Sequence, residues 1–349
     1  MPDGLLIARG TMSLDLFWPA AESDGDTVKV TLASSDPFSY SATGDRAALQ
    51  PTHAFDDAVV KGTGRKSPVD KKNRVTIRLQ GVDTTELHYA PAPLPKSASF
   101  TQDVRDAFKK VDKRYRQPFG ETAPLVLHAA LAGTGTNVLP CRVETWVDHP
   151  HEVFDTYGRL IGDVIVESGA GEINLNRFLV QQGWAFPAFY VSMRPDEIQD
   201  LLGLARAARK AKKGLWRLFT QKPGKFNFKM QYRAGKTVNN PQPGDDAGPA
   251  LFPKFFRRQT TWACQRTAGA TDKDFRGFLK ASADRFVTVA TFLKGKPKAS
   301  TLDAIYTSGA FQVQPEDMVF DEKPSTLIGM DGNPVKNWFD VKWVGGGML

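Results

Sequence analysis

Three short motifs bring together residue types that bind cations and phosphate groups. Carboxylate oxygens suit hard cations, and arginine stays charged and can hold phosphate oxygens with two parallel N–H groups. Each motif alone has an ordinary explanation, because Asp and Gly favour turns and an arginine on a strand is usually a solvated charge. The motifs are SDGDT at residues 23–27, RLQGVDTTE at residues 78–86 and DTYGR at residues 155–159.

The elements that must position these motifs can be predicted from hydrophobic periodicity. DTVKVTLA, from Asp26, alternates as a half-buried strand does, and RVTIRLQGV at residues 74–82 does the same. The helix at 194–216 is the clearest, with Asp196 as its expected N-cap and basic residues in its last turns. Further strands are predicted at 141–147, 159–169, 301–306, 310–320 and 337–345, further helices at 100–117, 119–133 and 172–186, and a helix running into a strand at 274–295.

The charge of the chain is unevenly distributed. The 349 residues, 41% of them hydrophobic, are enough to bury a core and comfortable for two domains. Residues 1–216 have no net charge, so the whole excess of +8 lies in residues 217–349. A basic C-terminal part favours electrostatic holding of a polyanion.

Several functional classes find no support in the sequence. Cys141 and Cys264 lack metal-ligand spacing and are expected to be reduced and largely buried. DHPHE, at 148–152, is interpreted as a polar turn rather than a metal site, and no histidine pair has metal-binding spacing. No apolar run approaches membrane-spanning length, and the absence of a secretory signal pattern predicts a cytoplasmic protein.

Taken in order, the motifs resemble those of the staphylococcal nuclease (thermonuclease) family. LNRFLVQQGWA at 175–185 and ARAARKAKKGLW at 205–216 follow them, and PFGETA at 118–123 is similar to a helix opening in that family. The resemblance covers about residues 24–217, with insertions at about 34–73 and 87–117. It implies an α+β fold, a five-stranded OB-type β-barrel with helices, in a nuclease domain at 1–220.

The resemblance also implies calcium-dependent hydrolysis of phosphodiester bonds in DNA, RNA or both, leaving 3′-phosphate and 5′-hydroxyl ends. Glu86 would orient or deprotonate the attacking water, and we expect it to be ionised at neutral pH because its surroundings are cationic. Asp24 would lie nearby as a supporting acid. The implied Ca²⁺ ligands are Asp26, Asp83 and the backbone carbonyl of Thr84, and the arginines that would stabilise the transition state are Arg78 and Arg159.

Three aromatic residues, Tyr157, Phe189 and Tyr190, match positions where the family flanks a nucleotide, and base stacking suits a nonspecific nuclease. Ordinary barrel packing remains an alternative for Phe189 and Tyr190. Two residues depart from the family pattern. Thr85 replaces a usual proline, which predicts a less rigid loop before Glu86, and Phe189 replaces a usual tyrosine.

The resemblance does not reach the C-terminal part, where we predict a linker at 221–250 and a basic mixed α/β accessory domain at 251–349. LFPKFFRRQTTWACQR, from Leu251, interleaves aromatic and basic residues, which fits either a nucleic-acid strand or a core segment with a solvated side. This region could also contact a protein partner. Two alternatives to a simple nuclease stay open: a catalytically weak nucleic-acid-binding or scaffold module, and a nuclease gated by the C-terminal domain or an insertion.

Overall fold

The computed structural model describes residues 2–18, 20–21, 23–61, 67–96, 98–168, 171–224, 230–232, 248–321 and 325–339. Its strands are β1 Leu5–Ser13, β2 Thr27–Leu32, β3 Phe38–Ser41, β4 Gln50–Pro51, β5 Val59–Val60, β6 Arg74–Leu79, β7 Val82–Asp83, β8 Val138–Trp146, β9 Leu160–Ser168, β10 Gly171–Asn174, β11 Phe186–Pro187, β12 Phe189–Tyr190, β13 Arg285–Thr288, β14 Ser300–Thr301, β15 Tyr306–Thr307, β16 Ala310–Phe311, β17 Met318–Phe320 and β18 Leu327–Ile328. Its helices are α1 Gln102–Val111, α2 Thr122–Ala132, α3 Leu175–Gln181, α4 Pro195–Lys210, α5 Pro253–Thr267, α6 Phe275–Ser282, α7 Val289–Phe292 and α8 Leu302–Ile305. Short 3₁₀ turns lie at Leu14–Leu16, Arg46–Ala48, Pro150–Glu152, Gly214–Arg217 and Pro315–Asp317.

Five strands close into a barrel. Strand β1 pairs with β2, β2 with β6, β6 with β9 and β9 with β8, and β8 returns to β1 to complete the circuit. All of these pairs are antiparallel except β6 with β9, which run parallel. The structure therefore confirms the predicted five-stranded barrel with helices, an α+β fold.

The sequence pattern explains why strands β2 and β6 have one buried face. In β2 and β6 buried and half-buried residues alternate along the whole strand, as the pleat requires. Val28, Val30, Val75 and Ile77 point into the barrel and are almost completely buried. Arg78 belongs to the other face of β6, which leaves its guanidinium outside the barrel core.

The C-terminal elements pack directly on the barrel region. Strand β17 runs parallel to β12, with Phe189 opposite Val319, and β18 pairs with β5 in the first insertion. Helix α5 brings Phe252 and Phe255 into the same hydrophobic cluster that fills the barrel. A smaller cluster joins α5 to Phe108 and its neighbours on α1, in the second insertion.

Most of the predicted elements are present, but some differ from the prediction and some predicted segments lie outside the described residues. The N-cap of α4 is Arg194, and Asp196 lies in the first turn because Pro195 begins the helix. TLDAIY, predicted as a strand, folds mainly as the one-turn helix α8, and most of the strand predicted at 337–345 lies outside the described residues. Strand β1 was not predicted. The linker predicted at 221–250 lies largely outside the described residues.

Candidate active site

Strand pairing brings the first two motifs together. In the antiparallel pair of β2 and β6, Thr27 lies opposite Arg78. Asp26 immediately precedes Thr27, and its Oδ2 lies 3.3 Å from Nη1 of Arg78. The turn before β2 needs Gly25, because a Cβ there would lie 2.6 Å from that of Ala123 on α2.

Arg78 is fixed by two carboxylates and two carbonyls. Its Nη1 donates to the carbonyl oxygens of Val82 at 2.6 Å and Leu79 at 3.1 Å. Its Nη2 donates to Oδ1 of Asp83 at 3.1 Å. Asp26 and Asp83, although distant in sequence, therefore share one guanidinium.

The loop from Thr84 to Glu86 is held at three points. The backbone N–H of Thr84 donates to Oδ2 of Asp26 at 3.2 Å. The Thr85 hydroxyl donates to the Phe119 carbonyl at 2.9 Å, and Oε1 of Gln117 accepts from the Glu86 N–H at 2.9 Å. Thr85 is completely buried, so its hydroxyl adds a side-chain hydrogen bond to the loop that the usual proline could not make.

The third motif forms a turn that orients Arg159. Asp155 accepts the backbone N–H groups of Tyr157 and Arg159 at Oδ1, both at 2.9 Å, and Gly158 has a φ of +82° that favours glycine. The Oδ2 of Asp155 accepts from Nε of Arg159 at 2.7 Å. The Nη1 of Arg159 donates to the Thr27 hydroxyl at 2.8 Å, which in turn donates to Oδ1 of Asp26 at 3.2 Å.

A third arginine, Arg257 on α5, enters the same site. Its Nη2 donates to Oδ2 of Asp83 at 2.9 Å, its Nη1 lies 3.3 Å from Oδ1 of Asp83, and Nη1 also donates to Oε1 of Glu86. Sequence reasoning missed this contact. In the sequence, Arg257 belongs to an aromatic and basic segment, and no local signal connects it to motifs 171 or more positions away.

Burial raises the pKa of three of the four acids in the site. It raises the pKa of Glu86 to about 8, against the opposing effect of Arg257 and helped by the neighbouring aspartates. Burial likewise raises the pKa of Asp24 and Asp83. The pKa of Asp26 is lowered, because Arg78 and Arg159 outweigh its burial. The expectation that Glu86 is ionised at neutral pH considered the cations without the loss of solvation, which acts against ionisation.

Asp24 lies at the edge of this group, as expected. Its Oδ1 accepts the backbone N–H of Leu87 at 3.2 Å and lies 3.8 Å from Nδ1 of His88. It therefore fastens the segment that follows Glu86 to the turn before β2.

The three predicted nucleotide contacts differ in accessibility. Tyr157 is 77% exposed, and the guanidinium carbon of Arg159 lies 5.4 Å from its ring centroid. Tyr190 is half-buried and close enough to Arg78 and Arg257 to affect their pKa values. Phe189 is completely buried between the barrel and β17, so its ring has no face for a base, and the stacking prediction for it is wrong.

The donors around Asp26 and Asp83 suit a hard cation. The two carboxylates contact the same guanidinium, and the Thr84 hydroxyl beside them is buried without a hydrogen-bond partner. Such an oxygen-only set fits Ca²⁺ in its chemistry. Within the described part of the chain, no group of three or more His, Cys, Asp or Glu residues is arranged to hold a metal ion by itself. A cation here would need backbone, water or substrate oxygens as well.

Two comparisons with known proteins complete the description. No curated protein matches the chain. A family model described as staphylococcal nuclease homologue matches residues 76–218, a segment that begins within β6 and contains Arg78, Glu86 and Arg159 but not Asp26. In the described ranges, no helix is long and apolar enough to cross a membrane. The chain therefore contains a domain of the staphylococcal nuclease homologue type, built on a closed five-stranded barrel.

Proposed function

We propose that this protein is a calcium-dependent, largely nonspecific endonuclease that hydrolyses phosphodiester bonds in DNA, RNA or both. The products would carry 3′-phosphate and 5′-hydroxyl ends. The observation that carries the proposal is one continuous set of contacts that joins Asp26, Arg78, Asp83 and Glu86, with Arg159 linked through Thr27. Arg257 connects Asp83 to Glu86 within that set.

In this proposal, Asp26, Asp83 and the backbone carbonyl of Thr84 would hold the calcium ion. When bound, the ion would supply positive charge to the site. Asp26 is suited to this role, since its lowered pKa keeps it ionised. Asp24 acts indirectly, by fixing the segment after Glu86.

Glu86 orients the attacking water and accepts its proton. Its backbone N–H donates to Gln117 and its Oε1 accepts from Arg257, so the residue is held in place before substrate arrives. Because burial raises the pKa of Glu86 to about 8, its function as a base at neutral pH requires additional positive charge close to it, which a bound cation provides.

Arg78 and Arg159 stabilise the negative charge that develops on the phosphate. Both are preorganised by hydrogen bonds to neighbouring groups, so little reorganisation is needed in the transition state. The exposed ring of Tyr157, and Tyr190 beside the arginines, would contact a sugar or base without sequence preference.

The proposal predicts a loss of cutting when Arg78 or Glu86 is changed. Arg78→Ala and Glu86→Gln should each lower the rate of plasmid and RNA degradation by a factor on the order of 10² to 10³, as removal of one transition-state donor does in other enzymes. Cutting should require Ca²⁺ and stop with a chelator. The measurement is initial rates on gels, with end-group analysis of the products.

Arg74→Ala is the matched control, because Arg74 lies on the same strand and pairs with Asp70 at the opposite end. It should cut at the wild-type rate. Cutting that persists equally in every variant, or in chelator, would reject the assigned roles.

A nucleic-acid-binding or scaffold module is the second candidate. The observation in its favour is that both oxygens of Asp83 are already paired with guanidinium groups. Nucleic-acid binding without cutting, at any calcium concentration, would establish this alternative instead.

A further inference from the structure

The C-terminal region contributes a cation to the acidic site. The guanidinium of Arg257 holds both oxygens of Asp83 and also Oε1 of Glu86. A paired, two-point contact of this kind is the strongest that arginine makes with a carboxylate. While this contact persists, both oxygens of Asp83 accept from guanidinium groups, Oδ1 from Arg78 and Arg257 and Oδ2 from Arg257.

Helix α5, which carries Arg257, is anchored in the hydrophobic core. Phe255 is completely buried and stacks on Phe311 with ring centroids 3.6 Å apart. Gln117 accepts the Glu86 N–H and donates to the Leu251 carbonyl at 3.1 Å, which connects the start of this region to the loop from Thr84 to Glu86. The helix is therefore part of the core, whereas the side chain of Arg257 is 28% exposed.

The neighbouring basic residues of α5 contact a different acid. Arg258 donates to both carboxylate oxygens of Asp284, and Nζ of Lys254 lies 3.6 Å from the same carboxylate. Arg257 thus differs from the adjacent arginine in its partners, although both lie on one helix and both are paired with acids. This difference provides a matched control.

The charges around the site explain what Arg257 does there. Burying several carboxylates together is costly unless positive charge compensates them. A monovalent guanidinium and a divalent ion can each supply that charge, but both require Asp83. The charged groups concerned are the acids Asp24, Asp26, Asp83 and Glu86 and the arginines Arg78, Arg159 and Arg257.

We propose that Arg257 is a built-in competitor of the metal ion, so that calcium has to displace its side chain from Asp83 and the C-terminal region sets the calcium affinity. This inference rests on the proposed function, since it takes Asp83 as a calcium ligand. The competition lowers the calcium affinity of the site below that which Asp26 and Asp83 would have without Arg257. The displaced guanidinium remains on a fixed helix beside Glu86.

Calcium titration calorimetry on the full chain tests the proposal. Arg257→Gln should bind Ca²⁺ more tightly than wild type by about tenfold to a hundredfold, the range expected when one nearby positive charge is removed at partial screening. Arg257→Lys, which keeps the charge but loses the two-point contact, should fall between them. Arg258→Gln should bind like wild type.

Thermal unfolding with and without calcium gives a second measure, and Arg257→Lys serves if the glutamine variant does not fold. Calcium should raise the melting temperature more in the Arg257 variants than in wild type, because it replaces the lost positive charge. Equal calcium affinity in wild type and both Arg257 variants would overturn the proposal. A lowered cutting rate at saturating calcium with unchanged affinity would also overturn it, and would make Arg257 a catalytic residue.

The two proposals fail in different ways. If wild type and variants bind calcium equally and cut nucleic acid, the competition is rejected and the nuclease stands. If no form binds calcium or cuts, both are rejected. If only the Arg257 variants bind calcium at the concentrations tested, the competition is supported, and Arg257 prevents calcium binding in wild type at those concentrations.

Discussion

At the scale of single residues, the surroundings decide what chemically identical side chains do. Arg78 is fixed by backbone carbonyls and two aspartates, Arg159 by its own turn, and Arg257 by Asp83 and Glu86. The sequence motifs identified the first two, because their spacing to other motif residues is local. The third depends on a contact between α5 and the loop before α1, and such long-range contacts leave no periodic signal.

Asp163 on β9 leads to a prediction about pH. Burial raises its pKa to about 6, and the negative charge of Glu144 adds to the rise. The hydrogen bond from Asn174 and the positive charge of Arg177 oppose it. Glu197 also lies close enough for the two acids to interact. Because the folded-state pKa is above the unfolded value, the folded form binds this proton more tightly. The stabilisation is therefore present at low pH and is lost as the pH rises from about 4 through about 6.

Asp163→Asn should remove this pH dependence while it keeps an oxygen that can accept from Asn174. The variant should gain about 1–2 kcal/mol over wild type at pH 7.5, with little difference at pH 4. Melting temperatures measured across this pH range provide the check. A constant difference between the two proteins at all pH values would show that Asp163 does not carry the effect.

At the scale of elements, periodic segments were predictable and context-dependent ones were not. β2, β6 and α4 were recognised because each has a clear apolar face along several residues. TLDAIY has no such face and becomes a helical turn between short strands β14 and β15. β1 is buried over its first four residues, and burial on both faces removes the alternation from which a strand can be predicted.

Helix α5 is the element on which the site and the core both depend. Phe255→Ala should lower the free energy of unfolding by about 3–5 kcal/mol, because it leaves a cavity beside Phe252 and Phe311. Urea denaturation followed by tryptophan fluorescence measures this loss. Phe339→Ala is the matched control, since Phe339 is 44% exposed and its truncation should cost less than about 1.5 kcal/mol. Equal losses in the two variants would contradict the central position of α5.

At the scale of the whole molecule, the barrel and the C-terminal elements share their interior. Phe186 contacts Phe252 with ring centroids 6.0 Å apart, and Tyr40 of the first insertion stacks on Trp338 at 4.3 Å. The strand pairs β12 with β17 and β5 with β18 add backbone contacts. Charge and composition indicate a separable accessory domain. Neither property, however, contains information about which faces are buried against each other. The domain division stays a prediction, and truncation tests it.

A fragment of residues 1–224 should fail to reach the native fold. Removal of the later residues would expose Phe186, Phe189, Phe55 and Tyr40, and each large apolar side chain returned to water costs about 1.5–3 kcal/mol. Together these losses are comparable to the whole stability of a typical domain, about 5–15 kcal/mol. Circular dichroism melts and binding of a hydrophobic dye should show an uncooperative, partly open fragment, whereas the full chain should melt in one transition.

Coexpression with residues 248–349 as a separate chain is the control, and it should restore cooperative melting because it supplies the missing packing surfaces. A fragment that melts cooperatively by itself, at the temperature of the full chain, would show instead that the barrel is an independent domain to which the C-terminal part is only attached.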